Sequence, residues 1–187
     1  VTFIFMLSHG INYQGGYLWT IPGWYEREGN PDYAISTEDL FGWLDGAKGH
    51  VVLVVNSCNS GKVATDAVAY VQGAHSLAGG GITVICSSQF NVASAWYNGN
   101  VKYDFLSEAL ARGLGYDLVN NKTLGSLYAD ANKDGKVTVG ELRNYASYYM
   151  SSQVYKYYRT VNYVGGKNPL PEMQSYLPNP SQIIFGR

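Results

Sequence analysis

Five consecutive apolar residues, Val51 to Val55, run straight into Asn56, Ser57, Cys58, Asn59, Ser60 and Gly61. A β-branched run this short and this unbroken reads as a strand buried on both faces, as in a parallel sheet. Such sheets put their chemistry just beyond the carboxyl ends of the strands, where the loops open. Cys58 stands at that edge, in a turn of small polar residues that leaves a thiol accessible. A nucleophilic cysteine needs a base, and the chain has three histidines. One of them, His9, ends a second strand of the same design, Val1 to Leu7 followed by Ser8, His9 and Gly10.

If the two strands are parallel neighbours, His9 and Cys58 lie side by side at one sheet edge. An imidazole close to a thiol raises the thiolate fraction at neutral pH, and the thiolate is the nucleophile. The bland alternative is a buried structural cysteine and an unrelated surface histidine. His50 precedes a strand at the other sheet end and His75 closes a helix, so both read as structural.

Past Gly61 the pattern alternates. A helix is expected from about Lys62 to Gln72, then a strand Ile82–Cys86 whose end, with Ser87 and Ser88, returns to the edge that carries Cys58. Upstream, Ile11 to Trp24 holds Gly15-Gly16 and Pro22-Gly23 among aromatic residues. It reads either as a β-hairpin flap over the site or as an ordered surface loop. Glu26 to Tyr33 is a polar turn region. Ser36 and Asp39 form a near capping box for a helix with Leu40, Trp43 and Leu44 on one face. A loop from Gln89 to Asn100 leads to a helix from about Val101 to Gly113, with Phe105, Leu106 and Leu110 inward. Residues 139–160 make a long helix whose Tyr145, Tyr148 and Tyr149 follow helical spacing and read as core packing. A proline turn and a strand from Gln182 to Gly186 close the chain. Strand and helix in alternation predict an α/β three-layer sandwich with a mostly parallel central sheet, as a single domain over residues 1–187.

The residues Ser8-His9-Gly10 after one strand and Ser57-Cys58-Asn59-Ser60-Gly61 after the next resemble the caspase-like cysteine peptidases, the group of caspases, metacaspases, legumains and clostripain. The histidine-to-cysteine spacing is also similar to that of caspases. The QAC[RQG]G signature of true caspases is absent, and Asn56 to Gly61 stands nearer the metacaspase and legumain form. The resemblance implies a caspase-like fold and a cysteine endopeptidase acting on a peptide or protein substrate. His9 would polarise the scissile bond or protonate the leaving amine, and Cys58 would attack the carbonyl to form a thioester. The N–H groups of Gly10 and Cys58 would bind the oxyanion. In the group a backbone carbonyl often orients the histidine.

Relatives of the metacaspase and clostripain kind carry an acidic residue two before the cysteine, which helps bind a basic substrate side chain. Here that position is the neutral Asn56. Ser87, Ser88, Ser94, Trp96 and Asp104 are the further candidates to line the substrate pocket, with Asp104 able to meet a basic side chain. The resembling group also places two strands and a helix before the histidine-bearing strand. Their counterpart is expected in an upstream segment or separate chain, because a bare sheet edge exposes strand backbone.

A second motif lies at Asp130 to Glu141, DANKDGKVTVGE, which fits the D-x-[DN]-x-[DN]-G-x5-E calcium loop of an EF-hand. Asp130, Asn132 and Asp134 offer alternating side-chain oxygens, and Gly135 permits the sharp turn. The Lys136 carbonyl supplies the seventh position, Thr138 the ninth, and Glu141 closes the shell, while Val137 packs inward. The alternative is a polar turn that binds nothing. A structural Ca2+ bracing the Tyr-rich helix is expected over a catalytic one.

At 46% hydrophobic residues and a formal charge of −1, the chain offers no electrostatic reason to bind nucleic acid or an anionic membrane. No stretch approaches a membrane span in length, and no signal peptide is visible. Two cysteines make no disulfide scaffold and suggest no zinc site. Cys86 could silence Cys58 through a disulfide, or be a buried inert thiol. The 17 tyrosines fit a secreted or cell-surface protein at least as well as a cytoplasmic one. Besides hydrolysis, two functions remain open: peptide ligation by the same dyad, and a calcium-binding structural module with an inactive dyad.

Overall fold

A computed structural model describes residues 1–20, 33–73, 81–94, 104–160 and 172–186. In chain order the first elements are β1 (Thr2–Leu7), β2 (Gly10–Tyr13), β3 (Gly16–Thr20), β4 (Ala34–Ser36), α1 (Thr37–Leu44), β5 (Val51–Asn56), α2 (Gly61–Gln72) and β6 (Ile82–Cys86). They are followed by α3 (Phe105–Gly113), β7 (Tyr116–Asp117), β8 (Lys122–Thr123), β9 (Lys136–Thr138), α4 (Val139–Thr160), β10 (Gln174–Tyr176) and β11 (Ile183–Gly186). The fold is mixed α/β with a mostly parallel central sheet and four helices among the described residues. None of those helices is long and apolar enough to cross a membrane. The chain divides into two compact units, Val1–Ser94 with Gln174–Pro178 and Ala95–Met173 with Asn179–Arg187.

The first unit is built on the sheet β1-β5-β6-β10. β1 and β6 both run parallel to β5, and β10 closes the sheet antiparallel to β6. All six residues of β5 and all five of β6 are buried, as expected of an unbroken apolar run inside a sheet. One sheet face contributes Met6, Val51, Leu53, Val55, Ile82, Val84 and Cys86 to a core closed by Leu40, Phe41 and Leu44 of α1 and Val63, Ala64 and Ala67 of α2. Burying side chains of this size is worth about 1.5–3 kcal/mol each. Truncating a central one such as Leu53, fully buried, would cost about 2–5 kcal/mol. On β1 the opposite face leaves Phe3, Phe5 and Leu7 about half exposed.

Two expectations for this unit need correction. α1 does start with a reciprocal capping box between Ser36 and Asp39, but its inner face is Leu40, Phe41 and Leu44, and Trp43 is 66% exposed. At about 100° per residue, positions 40, 43, 44 and positions 40, 41, 44 span equal arcs, so spacing alone does not choose between them. The phenyl of Phe41 wins by packing on Tyr70 of α2, with ring centroids 5.4 Å apart. The second correction is β10. It adds beside β6 an antiparallel edge strand that the sequence reading did not assign, from a stretch (Gln174, Ser175, Tyr176) too short and polar to declare itself as a strand.

The part of the flap region that is described, residues 11–20, is a hairpin: β2 and β3 pair antiparallel, and β4 adds to β3. Gln14 and Gly15 both have positive φ, 51° and 81°, which makes a two-residue turn matched to strand twist. Residues 21–24 of that region, the polar turn 26–32, His75 and Trp96 lie outside the described residues.

In the second unit α3 packs on α4, burying Phe105, Leu106, Ala109 and Leu110 together with Leu142, Ala146 and Met150. α3 begins at Phe105, with Asp104 as its N-cap. Helix α4 spans the 139–160 stretch read from the sequence. Its tyrosines divide, and this is a further correction. Tyr145 and Tyr149 stack with centroids 5.9 Å apart, and the Arg112 guanidinium lies 5.6 Å over the Tyr149 ring, whereas Tyr148 is 78% exposed. At about 100° per residue the three positions span a single arc of about 100°, with Tyr148 at its edge, so spacing alone does not separate Tyr148 from the pair that stacks. The C-terminal strand β11 pairs antiparallel with β9.

Candidate active site

The parallel register between β1 and β5 pairs Leu7 with Asn56, the last residues of their strands. His9 and Cys58 each stand two residues beyond those partners, so the two candidate catalytic residues occupy equivalent positions at one sheet edge. His9 is exposed and Cys58 partly so. The loops that carry them touch. A Cβ placed on Gly10 would lie 2.2 Å from the Cys58 carbonyl oxygen and 2.6 Å from Ser57 Oγ. Asn59, whose φ of +62° suits an asparagine, sends its Nδ2 to the Gly10 carbonyl at 3.0 Å.

The backbone of Gly10 is turned toward that contact. Thr20 N–H donates to the His9 carbonyl at 2.9 Å, which makes His9–Thr20 a hydrogen-bonded pair of the hairpin. In an antiparallel ladder such pairs alternate with open ones, so Gly10, opposite Trp19, directs both its N–H and its C=O away from β3. The C=O meets Asn59 on that side. The Gly10 N–H therefore faces the side of the Cys58 loop.

Beneath Cys58 lies a set of buried hydroxyls. Ser57 N–H donates to Ser87 Oγ at 3.1 Å, and Ser87 Oγ and Ser88 Oγ both donate to the Ser57 carbonyl, at 3.2 and 3.1 Å. Tyr17 Oη lies 2.6 Å from Ser57 Oγ. Burial raises the Tyr17 phenol well above its ordinary value, so it is a neutral hydroxyl. Asn59 N–H donates to the Val92 carbonyl at 2.9 Å, and Ser94 N–H donates to Cys58 Sγ at 3.3 Å. Helix α2 starts directly after this loop, and Gly61 is needed there: a Cβ would come within 2.8 Å of the Phe90 nitrogen and the Ser88 carbonyl oxygen.

These contacts change the reading of the pocket candidates. Asn56, Ser87 and Ser88 are buried to 0%, 1% and 0% exposure, and Ser94 to 8%. Their polar groups meet protein: the hydroxyl of Ser94 lies 2.8 Å from Ser87 Oγ and 3.4 Å from Asn56 Oδ1. They support the Cys58 loop from below, where sequence reasoning placed them facing substrate. Small polar residues at strand ends look alike whether they face a cleft or a neighbouring loop, which is why spacing missed this. Asp104 belongs to the second unit, where its carboxylate takes the Ser107 N–H at 2.8 Å and the Ser107 hydroxyl at 2.6 Å. His50 is buried, with Nε2 2.9 Å from Thr83 Oγ1. Cys86 is a free, fully buried thiol, and burial pushes it up to about 12. Tyr17 and Asn59 were not anticipated. Their signal was the short hairpin directly after His9, which returns Tyr17 toward the strand end it left.

The Asp130–Glu141 loop is folded around its own carboxylates. Asp130 accepts from the N–H groups of Asp134 and Gly135, at 3.1 and 2.9 Å, and Gly135 holds a φ of +80°. Asn132 Oδ1 takes the Asp134 N–H at 2.9 Å, and Asp134 takes that of Lys136 at 2.9 Å. Thr138 and Glu141 form a reciprocal pair at the start of α4, Thr138 N–H to Glu141 Oε2 at 2.9 Å and Glu141 N–H to Thr138 Oγ1 at 3.2 Å. Burial opposes the charge on Glu141, yet hydrogen bonds from Thr138 and Ala131 outweigh it and hold the carboxyl below the usual range. Val137 is fully buried. Among the described residues no three His, Cys, Asp or Glu side chains form a ready metal cage; in this loop the carboxylates bind its own N–H groups. The donor set is still one of hard oxygens at alternate positions, the kind Ca2+ takes. No family model, no curated protein and no solved structure matches the chain.

Proposed function

We propose that this chain is a caspase-like cysteine endopeptidase, a three-layer α/β sandwich that cleaves peptide bonds with Cys58 and His9. The observation that carries the reading is the β1–β5 register, which ends both strands together and leaves His9 and Cys58 at matched positions beyond them. Cys58 Sγ attacks the scissile carbonyl carbon, and the carbonyl electron pair moves onto oxygen. His9, as imidazolium, gives its proton to the leaving amine as the C–N bond breaks, leaving a thioester on Cys58. Water, losing a proton to the imidazole, then attacks the thioester and releases the acid product and the thiol.

The Gly10 N–H, facing the Cys58 loop, and the Cys58 N–H are the proposed donors to the oxyanion. A glycine suits the first position because no Cβ can be accommodated there. The Ser94 N–H donates to Cys58 Sγ at 3.3 Å and holds the sulfur in place within the loop. The side chains that bond into the Cys58 loop, Tyr17, Ser87 and Ser88, are uncharged and buried beneath it.

The second part of the proposal is a structural Ca2+. The side chains of Asp130, Asn132, Asp134 and Glu141 with the Lys136 carbonyl would hold it, and bound there it would supply a brace between the loop and α4. Both parts are tested by cleavage of a diverse peptide library by wild type and Cys58→Ala, each with and without calcium. Cleavage that vanishes in Cys58→Ala supports the peptidase, and cleavage that survives it overturns the assignment.

A further inference from the structure

The ladder between β1 and β5 stops at Leu7 and Asn56, so other contacts must hold His9 and Cys58 in register beyond it. On one side the His9 carbonyl is tied into the hairpin by both the N–H and the Oγ1 of Thr20, at 2.9 and 3.2 Å. On the other, Ser57 has its N–H held by Ser87 and its carbonyl held by Ser87 and Ser88. Each loop is thus fixed within its own surroundings. Two side chains join them: Asn59, whose Nδ2 donates to the Gly10 carbonyl at 3.0 Å at the surface of the contact, and Tyr17 beneath it. The Tyr17 phenol oxygen lies 2.6 Å from Ser57 Oγ, and its ring closes on Gly10, where a Cβ would come within 2.7 Å of Cε2. Tyr17 and Ser57 are 2% and 1% exposed, so no water competes for this bond.

We propose that Tyr17 is a positioning residue: through its buried hydrogen bond to Ser57 it locks the His9–Gly10 turn against the Cys58 loop. The proposal rests on the peptidase reading for its consequence, the alignment of imidazole, thiol and oxyanion donors. Losing the phenol oxygen leaves the ring packed and the fold intact, but frees the hairpin to shift relative to Cys58. Sub-ångström to ångström shifts of this kind act on turnover more than on substrate affinity.

The test compares full-length wild type with Tyr17→Phe, Ser57→Ala and the double variant, and with Tyr149→Phe as control. The control removes a similar Tyr hydrogen bond, to Glu108 at 2.7 Å, within the second unit. Two readouts are taken: kcat and KM on a cleaved peptide, and the pH profile of Cys58 alkylation by iodoacetamide, with His9→Ala as the uncoupled reference. Tyr17→Phe is expected to lower kcat by about tenfold with KM little changed, and to move the alkylation profile toward that of His9→Ala. The double variant should lose no more than the worse single, because both singles break one bond. Tyr149→Phe should match the loss of Tm and change neither readout. Unchanged kcat and profile in Tyr17→Phe, or losses equal to those of Tyr149→Phe, overturn the proposal. If wild type cleaves no peptide, the peptidase reading fails by itself. The alkylation profile then decides Tyr17 alone: a shift toward His9→Ala upholds it, and no shift overturns it.

Discussion

Gly10 lies flat against the carbonyl of Cys58, with no room for a single methyl group between them. The contact joins the turn after His9 to the loop of the candidate nucleophile, and the atom in the way is backbone, which cannot swing aside. Gly10→Ala would force one loop off the other. The expected cost is about 1–3 kcal/mol of stability, as for other overpacked sites, with loss of at least tenfold in cleavage rate. Thermal unfolding and peptide turnover measured on the same preparation check it. Full activity at unchanged Tm would mean the two loops do not meet as described.

The two thiols should separate cleanly by reactivity. Cys58 is partly exposed with a backbone N–H on its sulfur, while Cys86 is sealed in the core as a neutral thiol. Titration with a disulfide reagent should find one reactive thiol in the native protein and two in denaturant. The Cys86 shift also fixes a pH dependence. Its folded value, about 12, lies above the ordinary 9.0, so folding favours the neutral form. That contribution to stability is full below about pH 9 and declines as pH rises toward about 12. Cys86→Ser should flatten this alkaline slope.

Much of this arrangement was legible in the residues. The runs Val51–Val55 and Ile82–Cys86 declare buried parallel strands because they are short, rich in β-branched residues and bounded by turn residues. The 139–160 stretch, with tyrosines at helical spacing, declared α4. What spacing could not give was orientation. Trp43 and Phe41 compete for one arc of α1, and the choice belongs to Tyr70, a residue on another helix. Likewise Ser57, Ser60, Ser87 and Ser88 carry the composition of an exposed turn, yet all are buried, because two strand ends and a helix start converge there and satisfy their hydroxyls. β10 is a strand only because β6 offers it an edge.

The N-terminus of α1 offers a test free of any functional assumption. Ser36 Oγ takes the Asp39 N–H at 3.0 Å, and Asp39 returns a bond from the Ser36 N–H at 3.2 Å. Ser36→Ala should cost about 1 kcal/mol, seen as a lowered Tm, and leave thiol reactivity unchanged. Asp39→Asn should cost less, since the amide oxygen still accepts.

The Asp130–Glu141 loop carries the last prediction, and its sign follows from Glu141. Calcium that binds the folded chain alone raises stability by about 2.7 kcal/mol at a free concentration one hundred times Kd. Tm should therefore climb with calcium in wild type and stay flat in Asp130→Ala and Asp134→Ala. Without calcium, Glu141 still carries a pH dependence. Its folded carboxyl titrates below the ordinary 4.5, so its stabilising effect is complete above about pH 4.5 and is lost as pH falls through the folded value. Glu141→Gln keeps an acceptor for Thr138 but has no charge to lose, so it should remove that acid slope together with the calcium response. A calcium-induced rise in Tm that persists in Glu141→Gln and Asp130→Ala would place the ion elsewhere and leave the loop as a turn held by its own hydrogen bonds.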